Sequence, residues 1–241
     1  MRVRLLALVS TLALSLLGAV PASATSEGHT YLALGDSVPF GFSHLVDPRD
    51  AANFVGYPEI GAHRLNLADV NASCPGEATG GFLSLTGTDN VCRPYRFVYS
   101  LPLHVAYQGT QMAFAVSYLR SHRGTRLVTL TLGANDAFRF QNDCAAGPTV
   151  GTCPLGLDGV IATMQANLNT IFAQLRGTGY TGLIVAVTYY ALDYRHTSNA
   201  ELLNAPMIAA AGAHGALVAS GLEAWRNTAL GAGGALCPGF A

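Results

Sequence analysis

The chain has 241 residues, half of them hydrophobic and only 11% charged, with a formal net charge of -1. That is enough chain for one α/β domain with a sizeable core. All 13 cationic side chains are arginines, and no basic patch or charge run occurs, so nucleic acid has no support as a partner.

In chain order, Met1 to Ala24 reads as a secretory signal peptide. Arg2 and Arg4 supply the charged start, Leu5 to Val20 the apolar core, and Ala22-Ser23-Ala24 a small-residue cleavage site. The expectation is a secreted, extracellular single domain of residues 25–241, with no transmembrane anchor once the signal is removed. Arginine without lysine, amid much alanine and glycine, points to a GC-rich genome and a bacterial source. Tyr31 to Leu34, closed by Gly35, reads as a buried strand giving way to a turn at Ser37. In open α/β sheets the ligand crevice lies at the carboxyl ends of the strands, so Ser37 is aimed at it.

A helix over Tyr57 to Leu67 and a short strand over Ala68 to Ala72 follow, leading into the Cys74-Pro75-Gly76 turn. Gly80 to Leu103 is turn-rich and reads as an irregular surface excursion. Gln111 to Ser121 is helical, with Met112, Val116 and Leu119 on one face and Gly124 as the stop. Leu127 to Leu132 is the third strand. The strongest helical pattern runs from Leu157 to Arg176, where apolar residues recur every three to four positions before Gly177. Gly182 to Tyr190 is a continuous apolar strand, expected to be buried on both faces. Ala205 to Ala213 is a shorter helix with Pro206 in its first turn, and Gly215 to Ala219 is a fifth strand. Strand and helix alternate five times without a repeat or linker. The fold class is therefore α/β, a three-layer α/β/α sandwich on a parallel, about five-stranded flavodoxin-like sheet.

The five cysteines are Cys74, Cys92, Cys144, Cys153 and Cys237. In an exported chain they read as disulfides rather than metal ligands, and no zinc-type spacing is present. Sequence proximity suggests Cys74 with Cys92 and Cys144 with Cys153, each stabilising by about 2 to 4 kcal/mol. Cys237 is left over.

Three short blocks carry chemistry: Gly35-Asp36-Ser37, Gly76 within Asn71-Ala72-Ser73-Cys74-Pro75-Gly76-Glu77, and Gly133-Ala134-Asn135-Asp136 after a strand. Each alone has an ordinary reading, as a helix cap at Ser37, a turn glycine at Gly76, or caps at Asn135 and Asp136. Together, in this order and each at a strand end, they resemble three of the four sequence blocks of the SGNH (GDSL-type) esterases and lipases. The similarity runs from about Thr30 to Cys237.

The resemblance implies the same two disulfides and a serine carboxylic ester hydrolase, working through an acyl-enzyme on Ser37 without metal or organic cofactor. It assigns the oxyanion hole to the N–H of Ser37, the N–H of Gly76 and the side-chain amide of Asn135. It leaves Asp136 structural. Its substrates are small-molecule or lipid esters, with acylated glycans and phospholipids among the candidates, and a monomer is expected.

The fourth block of that family, a near-terminal Asp-x-x-His supplying the general base, is not at its expected place. His29, His122 and His214 precede strands and so lie opposite the crevice. His63 sits in a helix, His44 is seven residues beyond Ser37, and His104 has no clear place. Asp193-Tyr194-Arg195-His196 spells Asp-x-x-His after the fourth strand, on the crevice side, but Thr197 follows where the family usually has proline. Gly221 to Ala241 contains neither aspartate nor histidine. The expectation is a C-terminally truncated chain whose base is His196, oriented by Asp193, or is missing. The alternative reading is an inactive relative that at most binds acyl or glycan ligands. A nucleotide-binding module finds no support, since no Gly-x-Gly-x-x-Gly or Walker-type loop follows the first strand.

Overall fold

A computed structural model of the chain describes residues 29–231. The segment Met1 to Ala24, read as a signal peptide, and Cys237 lie outside the described residues. Five parallel strands form one sheet: β1 (Thr30–Gly35), β2 (Ala68–Asn71), β3 (Thr125–Thr131), β4 (Leu183–Val187) and β5 (Leu217–Ala219), in the order β2-β1-β3-β4-β5. The α/β sandwich expected from the alternating pattern is the observed fold, with helices on both sides of the sheet. The chain reverses its direction of travel across the sheet between β1 and β3, and their register runs to Gly35 opposite Thr131. Such a switch point opens a crevice beyond the carboxyl ends of the strands.

Alternation along β1 explains the two layers. Leu32 and Leu34 point to the main core, where they meet Val128, Leu130 and Ile184 under α4 (Gln111–Ser121), α6 (Gly156–Gly177) and α7 (Ser198–Ala213). Met164, Leu168, Ile171, Phe172 and Leu175 of α6 are fully buried there. Tyr31 and Ala33 point to the other face, against Ala62 of α2 (Tyr57–Leu65). That second layer is thinner. Over β4 and β5 the same face leaves Leu183 and Leu217 exposed at 45% and 60%.

Four expectations need correction. β4 is buried on one face only, because no helix among the described residues packs over its far side: Ile184 and Ala186 are buried while Leu183 is not. The stretch from Gly80 to Leu103 is no mere surface excursion. It holds most of α3 (Thr79–Leu83) and a π-helical turn at Pro94–Val98, and it buries Phe82 in the main core and Tyr95 against Phe40. Helix α7 begins at Ser198, where Thr197 bonds Glu201 through its carbonyl (3.0 Å) and its hydroxyl (2.7 Å), so Pro206 lies inside the helix rather than in its first turn. Helix α2 stops at Leu65, two residues early, on Asn66 in the left-handed region.

Both disulfides are present, Cys74–Cys92 and Cys144–Cys153. None of the helices among the described residues is long and apolar enough to cross a membrane.

Candidate functional site

The site is built from the turns after β1 and β3. Gly35 has φ +133, and a Cβ there would lie 2.0 Å from the Thr131 carbonyl oxygen, so only glycine lets the chain leave β1 this closely along β3. Asp36 then caps the short helix α1 (Ser37–Phe40), its Oδ1 accepting from the Val38 N–H at 3.0 Å. The capping reading of Ser37 is thereby corrected: Asp36 is the cap. The Ser37 hydroxyl makes no hydrogen bond among the described residues.

Asn135 is the second residue of α5 (Ala134–Ala146), a helix that starts directly after β3. Its Nδ2 lies 3.4 Å from Asp36 Oδ2, and its Oδ1 accepts from Asn90 Nδ2 at 3.0 Å. Tyr189, just beyond β4, donates its hydroxyl to Asp36 Oδ2 and accepts from the Ala134 N–H at 3.1 Å. The Tyr189 backbone is in turn clamped by the Asn204 carboxamide of α7, at 2.8 and 2.9 Å.

Buried carboxyls surround this centre. Burial pushes Asp36 up to about 6, opposed by the hydrogen bonds from Tyr189 and Val38. Burial likewise raises Asp136 to about 6. Its two oxygens hold the Thr79 N–H (2.9 Å) and hydroxyl (2.6 Å), and Asn167 of α6 donates to that hydroxyl at 3.0 Å. Asp136 therefore ties α5 to α3 and α6 rather than facing the crevice.

Gly76 is buried two residues past Cys74, at φ +80. A Cβ on it would collide with Val91 Cβ at 2.4 Å, and its carbonyl accepts from the Val91 N–H at 3.1 Å. Its own N–H meets no acceptor among the described residues. A buried backbone N–H without a partner is rare.

A cavity of about 580 Å³ opens beside Ser37. Ser37, Asn135, Tyr189, Asp193 and His196 share its wall, while Gly76 is not part of that lining. Apolar side chains, among them Val38, Phe138, Leu157, Leu192 and Leu203, make up most of the rest, and no arginine among the described residues lines it. His196 donates its Nδ1–H to Asp193 Oδ2 at 3.1 Å, and its side chain is 81% exposed. Asp193 also takes Arg195 through both carboxylate oxygens, at 2.8 and 3.0 Å. The arginine's bonds first, and the histidine second, hold the Asp193 carboxyl well below the usual carboxylate range. No hydrogen bond joins His196 to Ser37.

The other histidines stand apart from the cavity wall. His44 is exposed on Phe42, and His104 packs over Phe40 with its Nε2 3.0 Å from the Phe40 carbonyl. Among the described residues, Cys74, Glu77 and Cys92 form a cluster of metal-ligating types. Its sulfurs are joined to each other and offer no thiolate. The sequence blocks did not point to Asn90, Tyr189 or Asn204. Nothing local marks them, since each meets the site only through distant parts of the fold.

No family model matches the chain, and no curated protein matches it in sequence. Among solved structures it is similar to phospholipase A1 from Streptomyces albidoflavus NA297, at TM-score 0.52 and 18% identity over 86% of each chain. It is also similar to LAE5, an alpha/beta hydrolase enzyme from the metagenome of Lake Arreo, Spain, at TM-score 0.51 and 16% identity over 84% of this chain and 81% of that one. A third likeness, at TM-score 0.50 and 11% identity over 85% and 83%, is to a protein of Parabacteroides merdae ATCC 43184 named GDSL-like lipase. These likenesses carry the fold: the resemblance to SGNH hydrolases drawn from the three sequence blocks holds in three dimensions, and the chain has the SGNH hydrolase fold.

Proposed function

We propose that this chain is a secreted serine ester hydrolase of the SGNH type, with Ser37 as nucleophile. The observation that carries the reading is the shared cavity wall. A serine free of capping duty, an asparagine amide and an Asp–His pair meet there, on the carboxyl side of the sheet. Ser37 Oγ would attack the acyl carbonyl while His196 takes its proton on Nε2, with Nδ1–H directed at Asp193 Oδ2. The Ser37 and Gly76 N–H groups and the second Asn135 amide proton would stabilise the oxyanion. Collapse of the tetrahedral intermediate releases the alcohol, protonated by His196, and water then cleaves the acyl-enzyme by the same steps.

Apolar lining without an arginine favours an uncharged ester with an apolar acyl arm. Two disulfides favour an oxidising, extracellular location.

The open contact between Ser37 and His196 favours a second reading, an inactive relative that binds such ligands without cleaving them. The two are separated by initial rates of hydrolysis of a short-chain p-nitrophenyl ester. Wild type should exceed both Ser37→Ala and His196→Ala by about 10³-fold or more. Equal rates for wild type and Ser37→Ala would overturn the hydrolase reading. An active wild type with an unaffected His196→Ala would remove His196 from the mechanism.

A further inference from the structure

The carboxamide of Asn135 can face the cavity in either of two ways, and only one presents a donor to an oxyanion. In the structure, Oδ1 points to Asn90 and Nδ2 to Asp36, at 3.0 and 3.4 Å. Turned over, the oxygen would face the Asp36 carboxylate and the nitrogen would face the Asn90 amide, donor against donor. Asp36 is itself anchored by the Tyr189 hydroxyl.

The backbone on either side of Asn90 is held from three directions. It lies two residues before Cys92, whose disulfide leads back to the turn carrying Gly76. The next residue, Val91, donates to the Gly76 carbonyl at 3.1 Å. The preceding Asp89 accepts from Arg139 Nη1 at 3.3 Å through its carbonyl and from the Arg93 N–H at 2.9 Å through its side chain. Arg139 stands one turn beyond Asn135 on α5, so the same helix grips the Asp89-Asn90 segment twice.

We propose that Asn90 is a positioning residue for Asn135: its side-chain donor fixes the carboxamide in the orientation that offers an N–H to the reacting oxygen, and the Cys74–Cys92 loop delivers it there. The proposal rests on the hydrolase reading for its catalytic consequence, but the orientation itself does not. Nothing in the mechanism requires Asn90 to touch substrate. Its effect passes through Asn135.

The test uses Asn90→Asp, which keeps the shape and removes the donor, with Asn90→Ala and with Asn90→Gln, which restores a donor. Two readouts are taken: kcat and KM for a short-chain p-nitrophenyl ester, and the side-chain amide pair of Asn135 in a 1H–15N spectrum, identified by its loss in Asn135→Asp. Asn90→Asp and Asn90→Ala should shift that pair and lower kcat about tenfold with KM unchanged, as expected for a misoriented oxyanion donor. Asn90→Gln should recover most of the rate. An unmoved amide pair, or an unchanged kcat in an active enzyme, overturns the proposal. If wild type proves no faster than Ser37→Ala, the hydrolase reading fails by itself. The amide spectra then decide alone: a shifted pair in Asn90→Asp upholds the positioning, and an unshifted pair ends it.

Discussion

The two walls of the cavity are built differently. The inner wall, made by the turns after β1 and β3, is buried and cross-connected: Asp36 is 1% exposed and Asn135 5%, and Tyr189 and Asn90 complete a network in which each group fixes the next. The outer wall, after β4, is a solvent-facing loop in which, among the described residues, the side chains of Asp193, Arg195 and His196 bond only within this trio. Atoms that must sit accurately around a developing charge belong on rigid elements, and the inner wall has that character. A base exposed to water can move to its partner when substrate arrives, and the outer wall has that freedom. The difference predicts that inner-wall substitutions lower stability and rate together, whereas outer-wall substitutions touch the rate alone.

Tyr189→Phe should break the inner wall most severely. It removes the donor to a buried carboxylate and leaves the Ala134 N–H without its acceptor, at a cost of roughly 1 to 3 kcal/mol for the orphaned groups. For a domain of this size that is a fall in melting temperature of about 2 to 10 °C. The ester-hydrolysis rate should fall with it, because the Asp36 carboxylate loses a partner. Asp193→Asn in the outer wall should lower the rate and leave the melting curve within about 1 °C of wild type. A Tyr189→Phe protein as stable as wild type would erase the contrast between the walls.

The sequence made much of this inner wall legible, and the reason is local. Ser37 follows β1 by two residues and Asn135 follows β3 by four, so recognising those strands already places them at the crevice. Parallel pairing of Gly35 with Thr131 then brings the two turns together. Tyr189 and Asn90 escaped because their meaning is non-local. Tyr189 is 153 residues from the carboxylate it bonds and reaches it only because β4 follows β3 in the sheet. Asn90 depends on how the loop between Cys74 and Cys92 folds back, and that loop read as surface because glycine and polar residues hide its buried Phe82. His196 was visible as Asp-x-x-His after a strand, and the cavity does include it. Helix α7 was foreshortened because Pro206 suggested a start where the chain has a helix interior. The long helix α6, with its sustained apolar spacing, needed no tertiary information at all.

Protonation separates the walls again. Asp36 and Asp136 are pushed up to about 6 by burial, and Glu77 is raised well above its usual value by burial and by the charge of Asp89. Their folded values lie above their unfolded values near 3.8 to 4.5. The native chain therefore binds more protons than the unfolded chain between about pH 4 and 6, and Glu77 adds to that excess. The stability these groups contribute is full below the unfolded value and is lost as pH rises through the folded value. The exposed outer carboxylate Asp193 behaves oppositely, losing its contribution only in acid. The melting temperature should therefore rise on mild acidification from pH 8 to 5. Glu77→Gln should flatten that rise. It keeps a polar contact to Gln111 and places no charge beside Asp89, whose buried Oδ1 has no hydrogen-bond partner among the described residues. At pH 8 the gain should be about 1 to 2 kcal/mol, or a few degrees of melting temperature. A Glu77→Gln protein with the wild-type pH profile would mean that this carboxyl is ionised in the fold.

The smallest expected effect tests how far the outer wall is tuned. Arg195 sits on both oxygens of the carboxylate that His196 bonds, so the imidazole shares that carboxylate with a guanidinium. All three side chains are exposed, and exposed pairs contribute little. Arg195→Ala should therefore change the ester-hydrolysis rate by no more than about threefold. The change should shrink in 0.5 M salt, at a Debye length well under 10 Å. The same substitution should leave the melting temperature unchanged, since no buried group loses a partner. A loss of rate of about tenfold or more would mean that Arg195 holds Asp193 in place for His196, and the outer wall would then be built like the inner one.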